Sequence, residues 1–144
     1  MIRKIVFVLC IACFFFGLNA CKSKDSNQVQ MMTGDNSRTC LDWEGTYSGV
    51  IPCADCAGIE TRISLKMDNT YQISWQYLGK NDEIYLHDGT FIWDSTGSII
   101  ILENMDIDKY PTRYRVCENY LLQLDLNGSE IVGAMADKYI LHKD

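Results

Sequence analysis

The stretch Ile59-Glu60-Thr61-Arg62-Ile63-Ser64-Leu65-Lys66-Met67-Asp68-Asn69-Thr70-Tyr71-Gln72-Ile73-Ser74-Trp75-Gln76-Tyr77 decides the fold class. On its first arm Ile59, Thr61, Ile63, Leu65 and Met67 alternate with Glu60, Arg62, Ser64 and Lys66; on its second, Tyr71, Ile73, Trp75 and Tyr77 alternate with Gln72, Ser74 and Gln76. Successive side chains of a strand point to opposite faces, so a period of two gives each arm one dry and one wet face. Asp68-Asn69 breaks the pattern where a turn is needed. The stretch is therefore an antiparallel hairpin with one face in a core and one in water.

Outward from the hairpin the same grammar continues. Gly79-Lys80-Asn81-Asp82, Asp88-Gly89, Asp94-Ser95-Thr96-Gly97, Cys117-Glu118-Asn119 and Asp125-Leu126-Asn127-Gly128 punctuate short apolar runs at Thr90 to Trp93, Ser98 to Leu102, Thr112 to Val116, Tyr120 to Leu124 and Lys138 to Leu141. About eight short strands at this spacing fit a sandwich or barrel. After the leader no segment carries a helical stripe, although Glu130 to Asp137 has room for a turn or two. An all-β fold is expected, a small antiparallel barrel whose closure buries the aromatic face of the hairpin and removes exposed strand edges.

The N-terminus sets the compartment. Arg3 and Lys4 precede an apolar run of 12 residues from Ile5 to Phe16, with no acid before Cys21. That run is shorter than the roughly 18 to 20 residues of a membrane span and has the layout of a secretory signal peptide. Leu18-Asn19-Ala20-Cys21 has the form of a bacterial lipobox, which makes Cys21 the lipidation site and the first residue of the mature chain. Several acyl chains hold a protein to a bilayer where one is only marginal, so the membrane is a partner through a lipid anchor. Lys22 after that cysteine favours the outer membrane.

Residues 1–20 are thus a signal peptide, residues 21–39 the lipidated cysteine with a polar, flexible tether, and residues 40–144 one barrel domain. Removing residues 1–20 takes away two basic residues and no acid, which moves the formal charge from −6 to −8 over 124 residues. That acidity and the lack of a basic cluster exclude nucleic acid as a partner.

Four cysteines remain in the domain. Closing about 78 residues between Cys40 and Cys117 would stabilise by roughly 4.5 kcal/mol, against roughly 2 kcal/mol for the four-residue loop of Cys53 and Cys56. Cys40 and Cys117 are expected to bridge as the pair left once the adjacent cysteines are assigned. For Cys53 and Cys56, in Ile51-Pro52-Cys53-Ala54-Asp55-Cys56-Ala57-Gly58, four chemistries compete. Thioredoxin-like catalysis needs the pair to open a helix, and strands flank it here. Structural zinc needs four ligands and only one pair is present. A local disulfide and a two-thiolate site for a soft ion such as copper(I) both remain open, and one can give way to the other on reduction. Met31 and Met32 are soft thioethers on the tether that are read chiefly as linker residues. His87 and His142 sit in no nucleophile motif, so the chain is read as a binding protein and not an enzyme, with no obligatory cofactor.

Gly45 to Gly79, with its Y-x-G-x-x-P-C-A-D-C-x-G-I-x-T core from Tyr47 to Thr61 and its D-x-T-Y turn at Asp68 to Tyr71, resembles the opening of NlpE-type envelope lipoproteins. Gly89, Trp93, Leu102, Tyr114, Leu121 to Leu126 and Gly128 extend the likeness over roughly residues 43 to 142. The resemblance implies a lipocalin-like β-barrel, an outer-membrane lipid anchor, and roles in copper resistance and in signalling envelope stress to a sensor kinase. Its site residues carry over to Cys53 and Cys56, as metal ligands or as a disulfide. The chain stops after the barrel, where longer relatives have a second domain. A competing function is a lipocalin-like carrier of one small apolar ligand, which requires an interior that side chains do not fill.

Overall fold

The computed structural model describes residues 36–144. Eight strands form one closed antiparallel barrel in sequence order: β1 Gly45–Ile51, β2 Gly58–Leu65, β3 Thr70–Leu78, β4 Ile84–Trp93, β5 Ile99–Leu102, β6 Arg113–Cys117, β7 Tyr120–Gln123 and β8 Ile140–Lys143. Each strand pairs with the next, and β8 closes on β1 through Ser48 opposite His142. The expected fold class is thus what the chain adopts.

The quoted hairpin is β2 and β3, with Leu65 opposite Tyr71, Ile63 opposite Ile73 and Thr61 opposite Trp75. Asn69 takes φ 61° at the turn, a conformation that asparagine tolerates better than most residues. Thr61, Ile63, Leu65, Tyr71 and Ile73 are buried while Glu60, Arg62, Lys66 and Gln72 are exposed, which is the predicted alternation; Met67, expected on the dry face, lies past the end of β2 at the turn and is exposed.

One expected turn lies inside a strand. Asp88-Gly89 is mid-β4, where Gly89 pairs with Tyr71. A Cβ at Gly89 would stand 3.0 Å from the Tyr71 ring, so the glycine is there to seat an aromatic side chain and not to bend the backbone. The Tyr71 hydroxyl donates to the Glu103 carbonyl at 2.8 Å, tying β3 across the interior.

Two short helical turns complete the fold. The single α-helical turn α1, Ser37–Cys40, is capped by the Asn36 side chain, which accepts from Thr39 N. It docks on the barrel through Ser37 Oγ, which donates to Val116 O at 2.6 Å, and through Arg38 N, which donates to Gly97 O at 3.0 Å. Residues 36–39, placed in the tether by sequence, therefore pack on the barrel. A 3₁₀ turn at Ala136–Tyr139 leads into β8.

Trp43 covers this end of the barrel. It is 7 % exposed and meets Phe91 and Trp93 edge to face. The Tyr47 hydroxyl donates to the Trp43 carbonyl at 2.7 Å, so the plug and β1 are held to each other. The opposite end carries the Pro52–Ala57 loop, the Gly79–Glu83 connection and the long Glu103–Thr112 connection. Among the described residues, no helix is long and apolar enough to cross a membrane. Cys21, the expected signal peptide and Met31 and Met32 lie outside the described residues.

Candidate functional site

β1 ends at Ile51, opposite Ile59 of β2, and the six residues between Ile51 and Gly58 reverse the chain at the rim. Pro52 fixes its own φ and withholds an N–H from the ladder, which stops β1. Gly58 restarts β2 at φ 154°, and a Cβ there would lie 2.5 Å from Val50 Cγ1. Ala57 N donates to Leu78 O at 3.0 Å, so the loop is also pinned to β3.

Within this loop Cys53 and Cys56 are joined by a disulfide, with Cα atoms 5.4 Å apart. The Cys53 sulfur lies 3.5 Å from Asp55 Oδ1 and the Cys56 sulfur 3.2 Å from Gly58 O. A disulfide sulfur has no proton to give, so these become donor hydrogen bonds only after reduction. Asp55 Oδ2 accepts from Lys80 Nζ at 2.5 Å, and that ammonium also lies 5.8 Å from the Tyr77 ring centroid. The hydrogen bond and charge of Lys80 hold the Asp55 carboxyl below the usual carboxylate range. The two sulfurs and the carboxylate lie within 4.8 Å of one another, a compact group of one hard and two soft ligand atoms.

The other expected cysteine pair is not bridged. Cys40 and Cys117 are free thiols, Cys40 exposed and Cys117 half-buried. Ser37, rather than Cys40, faces β6, and the Cys40 sulfur lies 3.6 Å from the Thr39 hydroxyl. Cys117 instead stands opposite Tyr120 across the β6–β7 pair, where its thiol helps the tyrosine hydroxyl keep its proton. The entropic ranking that favoured the long crosslink describes the unfolded chain and says nothing about where the folded chain aims two sulfurs. The histidines are also apart from the loop: His87 is beside Tyr71 at 6.1 Å between ring centroids, and His142 is on the exposed side of β8.

Beside the loop, the barrel is hollow. A cavity of about 160 Å³ opens at this end, bounded by Ile51, Pro52 and Ile59, which flank the cysteine loop, by Trp75 and Tyr110, and by Tyr114 and Gln123 deeper in. Trp75 and Tyr110 rings stand 5.1 Å apart at 50°. Gln123 is 8 % exposed and contributes the one side-chain amide to the lining of the cavity. Sequence reasoning passed over Gln123, although it interrupts the apolar face of Tyr120 to Leu124 at an inward position. It also passed over Lys80, whose partner is 25 residues away and so invisible to local pattern.

Comparison with known proteins bears on this geometry. The NlpE N-terminal domain family matches residues 47–134. The chain is 27 % identical to Lipoprotein NlpE of Escherichia coli over 131 residues, covering 91 % of this chain and 54 % of the relative, so it spans about half the length of that protein. A candidate lipoprotein from Shewanella oneidensis, solved by crystallography, shares 45 % identity at a TM-score of 0.69, covering 77 % of this chain and 97 % of its own. The crystal structure of the Cpx pathway activator NlpE from E. coli shares 32 % identity at a TM-score of 0.51, covering 62 % of this chain and 45 % of its own. With over half its length matched, and a closed barrel bearing the P-C-A-D-C loop at its rim, the chain belongs to the NlpE N-terminal-domain family.

Proposed function

We propose that this protein is a lipid-anchored envelope lipoprotein, held to the outer membrane through Cys21, that works by binding in copper homeostasis and in signalling envelope stress. The single observation that carries the reading is the loop itself: two sulfurs and one carboxylate grouped within 4.8 Å on a rim loop, joined as a disulfide. Oxidised, the pair has no thiolate to offer a metal. Reduced, Cys53 and Cys56 present two soft ligands, which suits the low coordination number of copper(I), with Asp55 kept ionised alongside by Lys80. The partner in signalling is an envelope-stress sensor kinase, supported by the description of the E. coli relative as a Cpx pathway activator. The cysteine loop is at the opposite end of the barrel from Asn36, which leaves it facing away from the tethered end.

Titrating the reduced protein with copper(I) against a competing chelator tests the binding step. The wild type is expected to take one ion per chain and a Cys53→Ser, Cys56→Ser variant to lose it; equal uptake by both would remove the loop from the reading. Flotation of a Cys21→Ser variant tests the anchor separately, since loss of the acyl chains should release soluble protein.

A second reading, carriage of a small ligand, is supported by the cavity. At about 160 Å³ it is well below the roughly 300 to 1,000 Å³ of pockets for drug-sized molecules, so the cargo would be small.

A further inference from the structure

The cavity reads its ligand. We propose that it is a binding site for a single six-membered aromatic ring bearing an oxygen, a ligand of the phenol class, with the oxygen against Gln123. The inference rests on the reading of the barrel as a carrier and specifies the chemistry of the cargo.

Size sets the first limit. An apolar cavity of about 150 Å³ accepts benzene, and this one is about 160 Å³, so the space takes one ring. Shape sets the second: Trp75 and Tyr110 flank the space with tilted rings, surfaces on which another aromatic ring packs edge to face or offset.

Polarity sets the third. Thr61 also lines the cavity, but its hydroxyl already donates to Ile59 O at 3.3 Å. Gln123 differs: over nine-tenths buried as a residue, it brings the one side-chain amide of the lining to the cavity, with its polar atoms open to that space and not sealed in the core. Such an amide offers a ligand both a donor and an acceptor. A hydroxyl satisfies either one. The mouth, by contrast, does not call for an anion, because the Lys109 ammonium is already paired with Asp106 at 2.7 Å on the same connection. A neutral ring with one oxygen answers all three constraints.

The test uses phenol and toluene, which differ by OH against CH₃ at nearly equal size, and the full-length chain carrying Cys21→Ser so that no lipid absorbs the probes. Two-dimensional NMR titration reports both affinity and place. In the otherwise unmodified chain, phenol is expected to bind at least as tightly as toluene, with shifts centred on Thr61, Tyr114 and Gln123. Gln123→Met keeps the side-chain length and should lower the phenol-to-toluene affinity ratio at least about fivefold. Toluene binding the tighter before that substitution, or an unchanged ratio after it, would overturn the phenol class while leaving a carrier of apolar cargo. Absence of binding by both probes would overturn the carrier reading as well. If Gln123→Met does not fold, the comparison of the two probes on the chain with Gln123 intact still decides.

Discussion

The two ends of this barrel are built from the same strands by the same alternation, yet one is solid and the other hollow. At the plugged end Trp43, Phe91 and Trp93 interlock edge to face, with ring centroids 5.5 to 6.2 Å apart. At the rim of the cysteine loop, Trp75 and Tyr110 come as close as 5.1 Å but enclose space instead of filling it. Aromatic content is therefore not what separates them. The plugged end receives a side chain from outside the barrel, Trp43, while the inward positions near the rim include Thr61 and Gln123, which are too short or too polar to complete a core. The stable end holds the fold and the hollow end is left free to carry chemistry.

The largest effect expected to distinguish the interior from the rim is alkaline. Burial pushes Tyr47 and Tyr71 up to about 12, and Tyr114 further still. A tyrosine whose folded pKa exceeds its unfolded value near 10 binds more protons when folded, so its contribution is complete below pH 10 and is lost as pH rises toward the folded value. Each such group removes about 1.4 kcal/mol per pH unit in that window, so three together remove about 4 kcal/mol per unit. The barrel should unfold cooperatively between pH 10 and 12, with the absorbance change of these three tyrosines coinciding with loss of strand signal. Tyr47→Phe should flatten the slope by about a third. Ionisation of all eight tyrosines with the barrel still folded would show that the interior is not closed to water.

Truncating one indole at each end comes next in size. Trp43→Ala removes the plug from Phe91 and Trp93 and should cost about 3 to 5 kcal/mol in chemical denaturation. Trp75 is only half-buried and already borders empty space, so Trp75→Ala should cost about 1 to 2 kcal/mol. Equal losses would mean that the hollow end supports the fold as much as the plugged one.

That contrast was only partly legible in the sequence. The β2–β3 hairpin could be read because one face is wet: Glu60, Arg62 and Gln72 mark the outside as clearly as Ile63 and Tyr71 mark the inside. The early half of β4 was hidden because Asp88-Gly89 has turn composition, and only the position of the Tyr71 ring, which is a tertiary fact, explains the glycine. Cys53 and Cys56 could be paired by proximity in sequence. Cys40 and Cys117 could not, since their disposition depends on how α1 docks. Nothing local reveals that Lys80 meets Asp55 or that the Gln123 amide faces a void, because both depend on barrel register.

Reducing the Cys53–Cys56 disulfide should matter less than losing Trp43 from the plugged end. A four-residue loop restricts the unfolded chain little, so reduction should lower stability by at most about 2 kcal/mol and leave the barrel folded. Denaturation with and without reductant measures it. A collapse of the whole barrel on reduction would make the loop a staple and not a site at the edge of the structure.

The smallest effect is on reactivity alone. Asp55 is exposed and its ion pair with Lys80 is screened by water, so Lys80→Gln should leave the denaturation midpoint unchanged. The carboxyl of Asp55 is held low by Lys80, so removing the ammonium should move its titration up toward the ordinary value. At neutral pH the carboxylate then stands unpartnered 3.5 Å from the Cys53 sulfur. A bare negative charge disfavours the thiolate, so reduced Lys80→Gln protein should alkylate at Cys53 more slowly than wild type, and reduced Asp55→Asn protein faster. The rate against pH, read by mass mapping of Cys53, gives the sign directly. Identical profiles for the two variants and the wild type would mean that the ion pair does not reach the sulfur, and that Lys80 serves only to hold the loop against the Gly79–Glu83 connection.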